Sequence, residues 1–196
     1  MALDFPDPSE SPWMDENGRL WVHDGDGWIC AAAAPPSRPP KVSVYSNQTV
    51  THTFDMNAAW AKVIVTGGGQ TASGNNAGGG GATAIKSFMI ETPTANIVAA
   101  GTAGTSTYND GINSLSGGGG NATGATASGG DINIRGGGGA YAGGGTNAGS
   151  VGGGSYWGGG GKENNPAVVY GAGGGQYNAS QYGAGAAGVV YIEEHY

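Results

Sequence analysis

Forty glycines fall between residues 67 and 188, most of them in runs of three or four at 67–69, 78–81, 117–120, 136–139, 143–145, 152–154, 158–161 and 173–175. Glycine averages roughly 7% of a protein, and this segment holds several times that. Such runs bring no side chains to a core, and they disfavour helix because each glycine loses much backbone freedom on ordering. The spacing is irregular, without a Gly-X-Y period, which excludes a collagen triple helix. Two readings remain. One is a disordered low-complexity linker. The other is an ordered array of extended glycine segments of the polyproline II type, with about three residues per turn and no internal hydrogen bonds. Segments of that kind bond side by side, and only glycine lets the backbones come close enough.

Three features favour the array. The glycines are clustered and are not interspersed with serine. Apolar and aromatic residues separate the clusters, among them Ile85, Phe88, Ile132, Ile134, Tyr141, Trp157, Val169 and Tyr170. Strand-like segments flank the region on both sides. Ala61-Lys62-Val63-Ile64-Val65 runs straight into 67–69, and Val189-Val190-Tyr191-Ile192 follows the last glycines. These two flanks are expected to pair or pack and so close the domain. Further strand candidates are 41–45, 84–90, 97–100 and 132–135, with 168–170 a weaker one. No stretch shows helical periodicity. The expected fold is therefore all-β, a small N-terminal β-meander plus a glycine-rich β domain with polyglycine II-like segments. The expected division is a module over 1–30, a Pro/Ala linker over 31–41 and the glycine-rich domain over 42–196.

The first module contains Asn17-Gly18 and Asp24-Gly25, both hairpin-turn dipeptides, around Arg19-Leu20-Trp21-Val22-His23, with Trp28-Ile29-Cys30 as the return strand. Thirty residues bury too little surface to be stable alone, so this module is expected to dock on a partner.

The chain of 196 residues carries a formal net charge of -7, and its seven basic residues are scattered singly. Phosphate backbones are bound by clustered Lys and Arg, so nucleic acid is not an expected partner. No apolar run approaches the roughly 20 residues of a membrane helix, so membrane insertion is not expected. The opening residues are acidic and proline-containing, and synthesis in the cytoplasm is the expectation. Cys30 is single and gives no ligand spacing. Gly158 to Lys162 has a passing likeness to a phosphate loop, but Glu163 stands where Ser or Thr is needed and Tyr156 where the first glycine is needed. Neighbouring Glu193 and Glu194 point to opposite faces of a strand and make no carboxylate pair. Asp24-Gly25-Asp26 and Asp15-Glu16-Asn17 offer oxygen ligands but complete no calcium loop. His23, His52 and His195 read as surface or strand residues. No catalytic, metal or cofactor site is expected.

The order of strand 63–69, dispersed glycine clusters and a closing Gly-Ala-Ala-Gly-Val-Val-Tyr-Ile-Glu-Glu at 185–194 resembles the glycine-rich domains of bacteriophage tail-fibre and tail-tip proteins. The likeness spans roughly residues 48–196. In that family the runs form polyglycine II-like helices, and host-binding loops sit between them. Phe5-Pro6-Asp7, followed by the segment from Asp15 to Trp28, is similar to a short module of phage structural proteins, often those of cyanobacterial phages. There is no long coiled-coil or repeated shaft, so the resemblance implies a short fibre, a tip or a decoration.

It further implies a virion tail protein, commonly a homotrimer, attached to other virion tail proteins through Trp13, Trp21 and Trp28. Its partner on the host would be a surface glycan or an envelope protein. Tyr and Trp among small adaptable residues dominate many binding surfaces, and aromatic faces stack on sugars. The receptor-binding candidates are therefore Tyr141, Tyr156, Trp157, Tyr170, Tyr177 and Tyr182, with Tyr156 and Trp157 foremost. The alternative is a capsid decoration or tail-assembly protein that binds only other virion proteins. An enzyme has no support in the sequence.

Overall fold

The computed structural model describes residues 6–11, 13–14, 20–23, 25–32, 38–74, 76–140, 150–178 and 180–196. They are strands and irregular chain, with one 3-10 turn at Pro8–Glu10. Internal contacts divide the chain into one unit within residues 1–39 and another spanning Pro40–His195.

The first unit is a three-stranded antiparallel meander of β1 (Trp13–Met14), β2 (Leu20–His23) and β3 (Trp28–Ala32), in that order. β3 runs two residues past the boundary expected at residue 30, into the alanines of the expected linker. Gly25 takes a positive φ of 105° in the β2–β3 turn, which suits the Asp-Gly reading of that turn. Asp15, Glu16, Asn17 and Asp24 lie outside the described residues.

The second unit begins as a sandwich of two five-stranded sheets. Its strands are β4 (Lys41–Ser46), β5 (Gln48–Thr53), β6 (Trp60–Thr66), β7 (Thr83–Met89), β8 (Thr94–Ala99), β9 (Ser106–Asn109), β10 (Ser114–Gly117), β11 (Ala127–Ser128), β12 (Ile132–Ile134), β13 (Gln176–Asn178), β14 (Gln181–Tyr182) and β15 (Val189–His195). One sheet has the order β12-β7-β6-β15-β4 and the other β11-β10-β9-β8-β5, while β13 and β14 form a separate hairpin. The flanking segments do pair. β6 and β15 lie side by side antiparallel, with Val65 opposite Val190 and Val63 opposite Ile192. Asn47 alone connects β4 to β5 across the two sheets, with φ 51°, a conformation that Asn tolerates better than most residues.

Alternation places Ala61, Val63 and Val65 of β6, Val190 and Ile192 of β15, Ile97 of β8, Tyr108 of β9 and Leu115 of β10 in one buried cluster. Each fully buried Val, Ile or Leu there contributes about 1.5–3 kcal/mol. Tyr108 keeps its hydroxyl satisfied by donating to Asp110 Oδ2 at 2.9 Å. Burial and that carboxylate together push its ionisation far above the usual tyrosine range.

Beyond one end of the sandwich the strands continue as glycine runs, and the bonding changes character. Gly67 N–H donates to Ala82 O at 3.1 Å and Gln70 N–H to Gly79 O at 2.9 Å, both on the same neighbouring run. Between them, Gly68 donates to Gly104 O and Gly69 to Ala186 O, on two other runs. The next run repeats this pattern. Gly78 and Gly81 donate to Gly174 O and Gly171 O, while Gly80 donates to Gly137 O. A strand bonds in two directions, so a return to the same neighbour every third residue is the period of a polyglycine II segment. A Cβ added at Gly67, Gly69, Gly78, Gly80, Gly81 or Gly173 would come under 3.0 Å from a carbonyl of an adjacent run. Residues 168–170, the weaker strand candidate, are instead part of a turn between two runs. The Ser155 hydroxyl holds that turn by donating to Tyr170 O at 2.5 Å.

Candidate functional site

The array has two ends with different chemistry. At the sandwich end, the hairpin around Ser155 and Gly158 folds back onto the tip of β6. The Trp157 indole N–H donates to Thr66 Oγ1 at 2.9 Å, and Thr66 is in turn bonded to Thr83 at 2.8 Å. The Trp157 ring meets Tyr156 edge-on at 5.1 Å, Tyr170 at 6.2 Å and Tyr191 at 6.3 Å. Three of the aromatic candidates, Tyr156, Trp157 and Tyr170, are thus brought together with a residue sequence reasoning did not single out, Tyr191 of β15. Trp157 is half-buried and anchored by its polar atom, whereas Tyr156 and Tyr170 keep exposed faces.

At the far end, the loops at 71–77, 121–124, 162–166 and 176–182 emerge from the runs. They are rich in Asn, Thr, Ser and Gln, and most of their described residues are exposed. Hydrogen bonds fasten the 71–77 and 176–182 loops to adjacent segments of the array. Ala72 N–H donates to Gly183 O at 3.2 Å, Gly185 N–H to Thr71 Oγ1 at 3.2 Å and Ser150 N–H to Gln176 O at 2.7 Å. The Gln176 side chain, itself buried, reaches Gly74 O. Asn121 Oδ1 accepts from Thr123 N–H at 3.1 Å, and Arg135 donates to Thr123 O at 3.2 Å. The β13–β14 hairpin here carries Tyr177 and Tyr182, the latter exposed. Glu163 in the 162–166 loop has a positive φ of 52°, an uncommon conformation for this residue type. The six aromatic candidates therefore do not form one surface. Tyr156, Trp157 and Tyr170 lie at the sandwich end, Tyr177 and Tyr182 at the loop end, and Tyr141 lies outside the described residues.

In the N-terminal unit, Trp13 is the cross-strand partner of Trp21, and Trp28 is the partner of His23. Trp21 and His23 are two residues apart on β2, so all four share a face. The Trp13 and Trp28 rings meet edge to face at 6.3 Å, and His23 meets Trp28 at 5.5 Å. The three tryptophans named from sequence are one cluster.

A second group of polar residues escaped sequence reasoning because its members are far apart in the chain. At the end of the sandwich remote from the array, Glu194 of β15 points inward and is fully buried. Its Oε2 accepts from Asp55 N–H at 2.7 Å, and its Oε1 lies 2.9 Å from Lys41 Nζ and 3.3 Å from His52 Nε2. The Tyr45 hydroxyl is 2.7 Å from His52 Nδ1, and Phe54 packs edge-on against the imidazole at 4.7 Å. Burial holds the His52 pKa below the usual histidine value and outweighs the attraction of Glu194, with Lys41 pushing the same way as burial. The imidazole is therefore neutral at pH 7. Both His52 and Glu194 are sealed in the core, so this network ties β4, β5 and β15 together and offers no exposed nucleophile.

No family model matches the chain, and no curated protein matches it significantly.

Proposed function

We propose that the chain is a phage virion protein of the tail fibre or tail tip. In this reading the tryptophan cluster of residues 1–30 attaches it to other tail proteins, and the glycine-rich domain contributes to recognition of the host surface. The observation that carries the reading is the architecture of the loop end. A close-packed glycine array holds four polar, largely exposed loops at the far side from the sandwich, two of which, 71–77 and 176–182, are bonded to each other. Loops on a rigid scaffold vary freely while the frame stays constant, which is what a receptor-binding surface needs.

Of the aromatic candidates, Tyr177 and Tyr182 fit the receptor role best, because they stand among those loops. Tyr156, Trp157 and Tyr170 fit a junction between array and sandwich better. Amide and hydroxyl side chains beside tyrosine suit a host glycan, or the polar loops of an envelope protein.

The test is binding of the purified protein to host cells and to their extracted envelope glycans, alongside particles carrying Trp21→Ala and Trp28→Ala. Saturable binding that is lost on Tyr177→Ala with Tyr182→Ala supports the reading. A protein that ignores host material, yet is lost from particles when the tryptophans are changed, is a decoration or assembly component instead.

A further inference from the structure

The glycine-rich unit begins on β4 and ends on β15, and these two strands are neighbours in one sheet. Lys41 at the start of β4 is the cross-strand partner of Glu194 near the end of β15. Its Nζ lies 2.9 Å from Glu194 Oε1, with the lysine side chain 43% exposed and the carboxylate sealed from water. Ion pairs at a surface are common and contribute little, but this carboxylate is held differently. Asp55 N–H donates to its Oε2 at 2.7 Å, and His52 Nε2 stands 3.3 Å from its Oε1. Among the described residues, neither Oε1 nor Nε2 has an aligned hydrogen bond, although buried polar atoms are nearly always satisfied. An amine, a backbone N–H and an imidazole therefore converge on one buried carboxyl group. These are the parts of an acyl-transfer site: nucleophile, oxyanion donor and proton relay.

We propose that Lys41 Nζ and the side-chain carboxyl of Glu194 join in an intramolecular amide bond after the domain folds. The ion pair is the starting state. One ammonium proton passes to Oε1, leaving an amine beside a carboxylic acid, an exchange that removes two charges from a poorly solvated place. The amine nitrogen attacks Cδ, and the charge that develops on Oε2 meets the Asp55 N–H. His52, neutral at pH 7, takes the proton that the nitrogen sheds and delivers it to Oε1. The Nζ–Cδ bond forms, the Cδ–Oε1 bond breaks and Oε1 leaves as water. Ammonium and carboxylate become amide and water, so no oxidant or activating group is required. Because the two residues stand on the first and last strands of the unit, the bond closes residues 41–194 into a covalent ring. Such a ring restrains the unfolded chain as a disulfide does. The single cysteine of this chain forms no disulfide within it, and its glycines make the entropy lost on folding unusually large. The inference is independent of the tail reading.

The test is the intact mass of the full chain by mass spectrometry, on wild type, Lys41→Arg and His52→Gln. The wild type is expected to be lighter than its sequence by one water, and proteolysis should release the peptide containing Lys41 joined to the one containing Glu194. Lys41→Arg keeps a cation beside Glu194, but a guanidinium does not give up its proton, so this variant should show the full mass. Lys41 is half-exposed, so the variant folds, and a cooperative melting transition verifies that. His52→Gln should slow the loss of water about 100-fold in samples taken after a pulse of synthesis. A folded wild type that keeps its full mass on prolonged incubation overturns the proposal. So does an equal loss of water in Lys41→Arg, which places the reaction elsewhere, as at an Asp-Gly succinimide such as Asp110-Gly111. A His52→Gln protein that closes as fast as wild type overturns the relay.

Discussion

Two glycines of neighbouring runs make a paired experiment on the array. Gly173 is buried, and a Cβ there would fall under 3.0 Å from Gly78 O, Gly78 C and Gly79 O, all backbone atoms with no side chain to swing aside. Gly159 is exposed, and a Cβ there meets nothing within 4 Å. In Gly173→Ala the two runs must separate. That stretches the two bonds between them, Gly78 N–H to Gly174 O at 2.9 Å and Gly81 N–H to Gly171 O at 2.7 Å. Each weakened bond costs about 1 kcal/mol, and overpacking adds about 1–3 kcal/mol, for a total of about 3–5 kcal/mol. For a chain of this size, roughly 2–4 °C of melting temperature follow each kcal/mol, so Gly173→Ala should melt about 6–20 °C below wild type. Gly159→Ala relieves only the entropy of an unfolded glycine and should be neutral or stabilising by about 0.4–1 kcal/mol. Differential scanning calorimetry reads both. Equal shifts for the two variants would falsify the close-packed array, because only close packing distinguishes these positions.

Other consequences follow from the same contacts. Trp157→Phe keeps the aromatic contacts but loses the bond to Thr66, and should cost about 1–2 kcal/mol in denaturant titrations without altering host binding. Glu194→Ala removes the acceptor of Asp55 N–H and one ion-pair partner of Lys41 from the core, and should cost about 3 kcal/mol. Glu194→Gln retains an acceptor and lets the half-exposed Lys41 turn to water, so its cost should be clearly smaller by the same measurement. His52 has its pKa lowered in the fold, so the folded state binds fewer protons than the unfolded one. Its contribution to stability is complete above the unfolded value near 6.5 and is lost as pH falls through the folded value. Melting temperature should therefore drop as pH is lowered below that point, and His52→Gln should flatten the drop.

The strands legible in the sequence are those that carry Val and Ile on one face or both. Val63 and Val65, with Val190 and Ile192, revealed β6 and β15, and the structure pairs them. β5, β9 and β10 were not legible. Their outward residues are Thr, Ser and Asn, and their inward ones include His52 and Tyr108, so the period of two is written in size and burial more than in hydrophobicity. Residues 168–170 misled for the converse reason. Val168, Val169 and Tyr170 are β-formers by composition, but they stand between glycine runs, and the neighbouring Gly171 at φ 71° turns the chain there. The glycine runs announced close approach, since no other residue profits from repetition without a side chain. Which run lies beside which was unreadable, because identical glycines carry no register information.

That last point bears on how the array finds a single arrangement. Runs of three or four glycines could slide past one another with little change in bonding. Register must then be set at the ends, where side chains exist. At the sandwich end, Trp157 is fixed to Thr66, and Thr66 to Thr83, which locks the 155–158 hairpin against the first two runs. At the loop end, Gln176 reaches Gly74 and Thr71 receives Gly185, which locks the last runs to the first. Slippage by one residue would rotate every bond direction by a third of a turn and break all of these anchors together. The few polar and aromatic side chains between the runs therefore specify the array, while the glycines make its packing possible. Loop residues exposed beyond those anchors, Asn164 among them, face solvent.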